Sequence, residues 1–222
     1  MNFKALLSHL KPHKTVPLTP WRASHLWDLS VSRVLILSFG LFLFGLGDAL
    51  VVQSNLGNAP WTIFAEGVSE RASISLGVST LLISALVMLI WIPLKVKPGF
   101  GTFANMFLIA IAIDFGVNNF PMQTELLPGI ASALLGVTLV GIGTALYITC
   151  ALGPGPRDGA MTGLHRVTGV RIGRVRLGIE LTVALIGIAL GGRFGLGTAI
   201  FALGVGQSIA IFLGVIARLS SK

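Results

Sequence analysis

The sequence predicts an all-α polytopic membrane protein with about six transmembrane helices, arranged as two repeats of three with inverted topology (a 3+3 inverted repeat). The 222-residue chain is 54% hydrophobic and only 11% charged, with a mean hydropathy of +0.88. This is too apolar for a soluble globule of its size. In addition, moving residues 40–115 forward by 96 positions superimposes one half of the chain on the other without a gap. Duplication within an apolar chain is typical of transporters.

The positions that match between the two halves are mostly Gly, Pro, Ala and Thr, which fix the backbone path rather than fill volume. They include Gly45-x-Gly47 with Gly141-x-Gly143, Leu56-Gly57-x-x-Pro60 with Leu152-Gly153-x-x-Pro156, and Gly99-x-Gly101-Thr102 with Gly195-x-Gly197-Thr198. We therefore expect the two halves to share a fold.

Six apolar segments approach the length of about 20 residues that a helix needs to cross the hydrocarbon core. They are residues 32–53, 77–94, 101–117, 129–150, 175–190 and 197–216. The fifth is the shortest and is expected to borrow a turn from its flanks. The chain is divided accordingly into a basic N-terminal arm (1–30), repeat 1 (31–120), repeat 2 (121–217) and a tail (218–222).

The distribution of basic residues predicts the orientation, because cytoplasmic loops are enriched in Lys and Arg. The third connection, residues 118–127, is predicted to be external, and its only charged residue is Glu125. Arg193 is the one basic residue in a short outer loop. The segments predicted to be cytoplasmic carry Lys4, Lys11, Lys14, Arg22, Arg33, Lys95, Lys97, Arg157, Arg166, Arg171, Arg174, Arg218 and Lys222. We expect a multi-pass protein of the bacterial plasma (inner) membrane with both termini in the cytoplasm. Three spans per repeat then place a pseudo-two-fold axis in the membrane plane.

A short helix is predicted after the first span of each repeat, over residues 60–71 and 156–167. Pro is well suited to the first turn of a helix, and the free N–H groups there attract anions and polar groups. These segments are either re-entrant half-helices that meet near the membrane midplane or amphipathic helices at the two interfaces. Their duplication favours the first alternative. The candidate binding residues here are Pro60, Trp61, Thr62, Pro156, Arg157 and Asp158.

Charged residues inside spans are the other candidates, since each costs roughly 2.5–3.5 kcal/mol at the bilayer centre. Asp48 is the best candidate for an internal proton or cation site, and Glu180 is four residues after Arg176, so the two can pair. The alternative for that pair is a structural ion pair at the boundary. Asp114 lies near a helix end, where it can reach outward. Gln207 is a neutral polar residue that faces a lumen or bonds across helices.

Asp158 is expected to cap the free N–H groups of its helix and to leave Arg157 available for a ligand. Other chemistry has little support. The four histidines have no metal-ligand spacing, and the lone Cys150 lies in an apolar run. No set of residues suggests a nucleophile and its base, so we expect no metal, no cofactor and no enzyme activity. The net charge of +8 is explained by topology rather than by nucleic-acid binding.

From about Arg33 to the C-terminus, the chain resembles the YczE-like bacterial integral membrane proteins, which are related to the YyaS and YitT groups. The motifs that carry the resemblance are Leu56-Gly57-x-x-Pro60-Trp61, Gly99-x-Gly101-Thr102 with Asp114, Gly155-Pro156-Arg157-Asp158-Gly159-x-Met161, and Arg176-x-x-x-Glu180 leading to Gly191-Gly192 and Gly195-x-Gly197-Thr198. The family pattern has Asp after Pro-Trp in the first half, where this chain has Thr62. The resemblance implies a polytopic plasma-membrane protein and a permease-like role.

Two functions remain open. The first is a small secondary transporter or permease for a polar or anionic small molecule. The second is a membrane factor that does not transport but supports or regulates another membrane or biosynthetic system by helix packing. The lipid bilayer is the expected environment in both cases. The oligomeric state is left open, with a homo-oligomer among the alternatives.

Overall fold

The computed structural model describes Pro12 and residues 15–220, and this part of the chain is helical without β-strands. Its helices are α1 (Val31–Gln53), α2 (Pro60–Ala72), α3 (Leu76–Leu94), α4 (Phe100–Asn119), α5 (Leu126–Thr149), α6 (Pro156–Thr168), α7 (Ile172–Leu190) and α8 (Leu196–Ser220). The predicted segments match these helices to within a few residues at each end. The all-α class is confirmed.

The short helices α2 and α6 begin at their prolines in the same way. Pro60 and Pro156 occupy the first helical position of α2 and α6. Three residues before each proline, Gly57 and Gly153 have φ of +102° and +116°, values that L side chains rarely adopt. The Leu-Gly-x-x-Pro motif therefore places a left-handed glycine in the loop after one helix and begins the next helix with a residue that needs no N–H partner.

The centre of the fold is the crossing of α1 and α5, which pack closely through glycines. A Cβ on Gly40 would lie 2.9 Å from the carbonyl oxygen of Gly143, and one on Gly47 would lie 2.6 Å from that of Gly136. In these contacts the residue number increases along α1 as it decreases along α5, so the two helices cross antiparallel. Backbones approach this closely only where side chains are absent.

The other helices surround this crossing in matching pairs. Helix α4 packs on α1 and α8 packs on α5, while α2 packs on α7 and α3 packs on α6. The loops join in a similar way, since the amide of Gly101 donates to the carbonyl of Leu152 at 2.8 Å and that of Gly197 donates to the carbonyl of Leu56 at 2.7 Å.

Within the described residues, five helices are long and apolar enough to cross a membrane: α1, α3, α4, α5 and α8. Helix α7, the fifth of the predicted spans, is not among them. It has 19 residues but carries Arg174, Arg176 and Glu180 in its first half. Many large apolar side chains on the long helices are exposed, as expected for surfaces that face lipid.

The described part of the segment before α1, within the predicted N-terminal arm, packs against the end of α5. The Trp21 indole N–H donates to the Thr149 hydroxyl at 3.1 Å, and the Ala23 amide donates to the Cys150 carbonyl at 2.9 Å. Hydrogen bonds from the Ser24 backbone and hydroxyl, together with Arg33, lower the pKa of Asp28 to about 2. Some residues of the predicted basic arm and tail lie outside the described residues: Lys4, Lys11, Lys14 and Lys222.

Asp114 holds the start of α3 against α4. Its carboxylate accepts hydrogen bonds from the Gly77 amide at 2.6 Å and from the Ser75 hydroxyl at 2.5 Å. Ser75 is itself the N-cap of α3. Asp114 therefore ties two helices together, a role that its position near a helix end did not predict.

Candidate functional site

A cavity of about 300 Å³ lies where the first turns of α2 and α6 approach each other, beside the α1–α5 crossing. Its wall is mostly apolar, with contributions from Phe44, Ile109, Val140 and Phe201. The polar part of the wall consists of Trp61, Thr80, Ser84, Asn105, Thr144, Tyr147, Arg157, Asp158, Arg176 and Glu180. A concave, largely apolar space with a few converging polar groups is the usual form of a small-molecule site, and this volume is at the lower end of the range.

Arg157 and Trp61 bring the two short helices together. The guanidinium carbon lies 5.1 Å from the centroid of the indole ring, within cation–π distance. Each residue directly follows the proline that begins its helix. No described residue accepts a hydrogen bond from the Arg157 guanidinium or the Trp61 Nε1–H. Both donors belong to the cavity wall.

Helix α3 fixes the position of Arg157. The Trp91 indole N–H donates to the carbonyl oxygen of Pro156 at 3.0 Å, and its ring lies flush against Gly159. Any side chain at Gly159 would overlap with that ring. The first turn of α6 is thus held in place by a buried tryptophan that the sequence analysis did not identify.

Asp48 lies behind the Trp61–Arg157 pair, fully buried in α1. Its Oδ2 is 3.4 Å from the Thr62 hydroxyl, and its Oδ1 has no hydrogen-bond partner in the described part of the chain. Arg157 is the cation whose charge acts on it. Asp48 therefore balances the charge of Arg157 from the opposite repeat, without itself lining the cavity.

Asp158 has a different role from the one expected. We predicted that it would cap the amides of its own helix, but its Oδ2 accepts a hydrogen bond from the Tyr147 hydroxyl at 2.8 Å, and the start of α6 has no side-chain cap. Tyr147 is buried in α5, near its end, and its hydroxyl holds the Asp158 carboxylate against the cavity wall. This contact joins two helices instead of stabilising one terminus.

The predicted Arg176–Glu180 pair is present, with Nε and Oε1 2.8 Å apart. Both residues line the cavity, yet their side chains are 51% and 28% exposed. They mark the place where the cavity reaches the surface, between α7 and α8. We call this place the mouth, defined by Arg176, Glu180, Phe201 and Val205.

The structure brings most of the predicted site residues together. Pro60, Trp61, Arg157, Asp158 and Glu180 line the cavity, while Pro156, Thr62 and Asp48 lie directly behind its wall. Gln207 is exposed on α8 and does not reach the cavity. Sequence reasoning missed Tyr147 and Thr144. Thr144 is the repeat equivalent of Asp48, and its buried hydroxyl has no partner within the described region, so the 96-residue repeat offered a signal for it.

Outside the cavity, the buried Glu66 forms an ionic contact with Arg193. Its carboxylate accepts from Arg193 Nε at 2.6 Å, from the Arg193 amide at 2.7 Å and from Asn58 Nδ2 at 2.7 Å. This explains the one basic residue predicted in a short outer loop, since Arg193 pairs with a buried acid. We call this cluster the Glu66 lock. It joins α2 to the loop between α7 and α8.

Comparison with known proteins places this chain in a family. Residues 31–214 match the family of unknown function DUF6198. The chain belongs to this family. It is 41% identical over 209 residues to an uncharacterized protein of Haemophilus influenzae, covering 94% of this chain and 96% of that relative. It is 31% identical over 195 residues to the uncharacterized membrane protein YczE of Bacillus subtilis, with coverage of 87% and 84%.

YyaS of Bacillus subtilis, an uncharacterized protein, is 25% identical over 183 residues, or 81% of this chain and 91% of YyaS. The predicted resemblance to the YczE-like proteins is therefore confirmed. No solved structure matches the chain. The DUF6198 match begins at the first residue of α1 and ends within α8, so it contains every residue that lines the cavity. Together with the apolar helices, the relationship to YczE makes this DUF6198 chain a multi-pass membrane protein.

Proposed function

We propose that the protein is a small secondary transporter of the bacterial plasma membrane that carries a polar or anionic small molecule through the cavity between α2 and α6. One observation carries the proposal. The Arg157 guanidinium faces this cavity without an ion-pair partner within 4.0 Å in the described residues, while the other cation of the wall, Arg176, is paired with Glu180. In this proposal the protein has no enzymatic role.

Two buried hydrogen-bond donors at the cavity lack acceptors in the part of the chain that the structure describes, the Trp61 Nε1–H and the Thr144 hydroxyl. The Arg157 guanidinium beside them has no ion-pair partner among the described residues. Buried polar groups normally have partners, so unmet donors around a space indicate that a molecule supplies the acceptors. Arg suits this role because its planar fork can hold a carboxylate or phosphate in two directions. The apolar remainder of the wall suits a compact organic molecule.

We also propose that the fold is a 3+3 inverted repeat. Its helices begin at positions 96 residues apart for α2 and α6 and for α3 and α7. The Gly40–Gly143 and Gly47–Gly136 contacts exchange when each residue is replaced by its repeat equivalent. Such reciprocity is the mark of two-fold symmetry. Because α1 and α5 are antiparallel, the axis lies perpendicular to both, which is the membrane plane if they span it.

In this arrangement α7 is the sixth span. Its 19 residues reach about 28 Å at 1.5 Å per residue, close to the thickness of the hydrocarbon core. Its equivalent α3 has the same length and is apolar enough to span. Arg174 and Arg176 lie near the start of α7, where Arg can extend to the interface, and Glu180 near the middle of the helix is paired with Arg176. The basic loops then place both termini in the cytoplasm.

The proposal is tested by ligand binding and transport with defined probes. Purified protein is titrated with inorganic phosphate and with straight-chain carboxylates from acetate to octanoate, each compared with its uncharged primary amide. We expect some of these anions to raise the unfolding temperature where the matching amides do not. Radiolabelled forms of the anions that bind should then enter proteoliposomes that contain the protein.

Arg157→Lys should weaken anion binding at least tenfold, about 1.4 kcal/mol, because Lys keeps the charge but loses the planar fork. Arg171→Lys is the matched control, since Arg171 is exposed in the loop before α7. Binding that is equally insensitive to both substitutions would refute the site. Anion binding without uptake would instead favour the non-transporting membrane factor.

A further inference from the structure

The two repeats differ in the contact between the last two helices of each half. In the first half α3 packs along α4, whereas α7 and α8 barely touch in the described part of the chain. The cavity wall shows the same difference. Thr80 and Ser84 on α3 are 3% and 5% exposed, while their repeat equivalents Arg176 and Glu180 form the exposed mouth.

Glycines show what is missing between α7 and α8. On α3, Gly77 lies so close to α4 that a Cβ there would overlap with the carbonyl oxygen of Ala110. The repeat equivalents of these two residues are Gly173 on α7 and Gly206 on α8. Both have open space around them, with nothing within 4 Å of an added Cβ. The second half thus carries a pair of small residues at the position where the first half makes its closest contact.

From this difference we infer that α7 and α8 form a gate that closes the mouth by bringing Gly173 against Gly206, as Gly77 lies against Ala110. The inference rests on the proposed transport function and deepens it by assigning how the cavity is opened and closed. The present structure is the state with the α7–α8 gate open and the α3–α4 contact closed. In the proposed orientation, α7 begins on the cytoplasmic side, so this state faces the cytoplasm.

The symmetry of the backbone explains how one chain can adopt both states. Two halves with the same helix path can exchange conformations, so the closed contact of one half becomes available to the other. Packed interfaces have discrete arrangements rather than a continuous range, which makes such a contact a switch. The gate therefore needs no hinge beyond the short loops at each end of α7.

Cysteine cross-linking tests the gate without knowledge of the substrate. Gly173→Cys and Gly206→Cys are combined on a Cys150→Ala background and oxidised with copper phenanthroline in native membranes. A disulfide needs Cα atoms about 4.4–6.8 Å apart, so it forms only if the gate closes. The control pair is Leu181→Cys with Leu203→Cys, which are exposed on α7 and α8 and whose repeat equivalents are also exposed.

We expect intramolecular cross-linking of the Gly173/Gly206 pair to be at least fivefold greater than that of the control pair. Equal cross-linking of the two pairs would overturn the gate. Cross-links between two copies of the chain would overturn it as well, since the open face would then be an oligomer contact.

Spin labels on the same cysteines give a second measurement that does not depend on disulfide geometry. Two distance populations in the purified protein, one of them short, support the gate, whereas a single long distance overturns it. Gate closure without uptake of any probe would contradict the proposed transport function and leave the gate supported. Uptake by a protein in which α7 and α8 never come together would contradict the gate.

Discussion

The Glu66 lock allows a prediction whose magnitude follows from the structure. The Glu66 side chain is only 7% exposed, and one of its three hydrogen bonds comes from the Arg193 guanidinium. Arg193→Ala removes that bond and the exposed bond from Arg193 Nη1 to Asn55 Oδ1, but leaves the donors from the Arg193 amide and Asn58. A hydrogen bond to a charged group is worth about 1.5–3 kcal/mol. Because Arg193 is 36% exposed, water replaces part of it, and we expect a loss of about 2 kcal/mol.

For a domain of about this size, 1 kcal/mol shifts the unfolding temperature by roughly 2–4 °C, so Arg193→Ala should lower it by about 4–8 °C. The assay uses the buried thiol of Cys150, which reacts with a fluorogenic thiol reagent only when the protein opens. The measurement is made on detergent-solubilised protein at neutral pH.

Arg71→Ala is the matched control for this prediction. Arg71 is exposed and donates from Nε to the Leu190 carbonyl at 3.2 Å, so it reaches the same end of α7 without a buried acid. Surface substitutions of this kind change stability by about 0.5 kcal/mol or less. The reasoning is refuted if the two variants lower the unfolding temperature equally, because burial of Glu66 would then contribute nothing.

The other predictions concern the Asp114 hydrogen bonds between α3 and α4, the topology and the turn before α2. Asp114→Ala removes both hydrogen bonds from Asp114 that hold the start of α3 to α4. An external impermeant thiol reagent should then label Ser84→Cys at least tenfold faster. Unchanged labelling would exclude a second gate between α3 and α4. Reporter fusions after Lys97 should be cytoplasmic and those after Gln123 external, and a cytoplasmic signal at Gln123 would contradict the six-span topology. Gly57→Ala should lower the amount of folded protein in membranes severalfold, since φ of +102° and contact with Gly195 leave no room for a Cβ; near-normal yield would contradict this.

The sequence predicted the backbone well because Gly and Pro act locally. Pro60 and Pro156 mark the starts of the short helices to the residue, since proline lacks an N–H and has a fixed φ. The Arg176–Glu180 pair was also predictable, because four residues make one turn of a helix.

The contacts between distant segments were not predictable from the sequence. Asp158 lies beside free N–H groups at the start of its own helix. Its carboxylate instead accepts a hydrogen bond from the Tyr147 hydroxyl, which tertiary packing brings near. Gln207 lies on a helix whose rotation depends on packing against α5, and that rotation turns it away from the cavity. The weak hydrophobic periodicity of spans that face both lipid and protein does not fix such rotations.

The two repeats have similar backbones but different side chains, and this difference suggests how the proposed transport would be driven. Trp61 and Arg157 occupy equivalent positions of the two repeats, and so do Asp48 and Thr144. The acid and the base whose charges act on each other across the centre therefore come from different repeats. An anion bound to Arg157 would offset the positive charge that acts on Asp48 and leave this buried carboxylate less well balanced. Burial of an unbalanced carboxylate is costly, so Asp48 should take up a proton as an anion binds. Anion and proton would then move together, and Asp48→Asn should support anion binding while abolishing the dependence of uptake on a proton gradient.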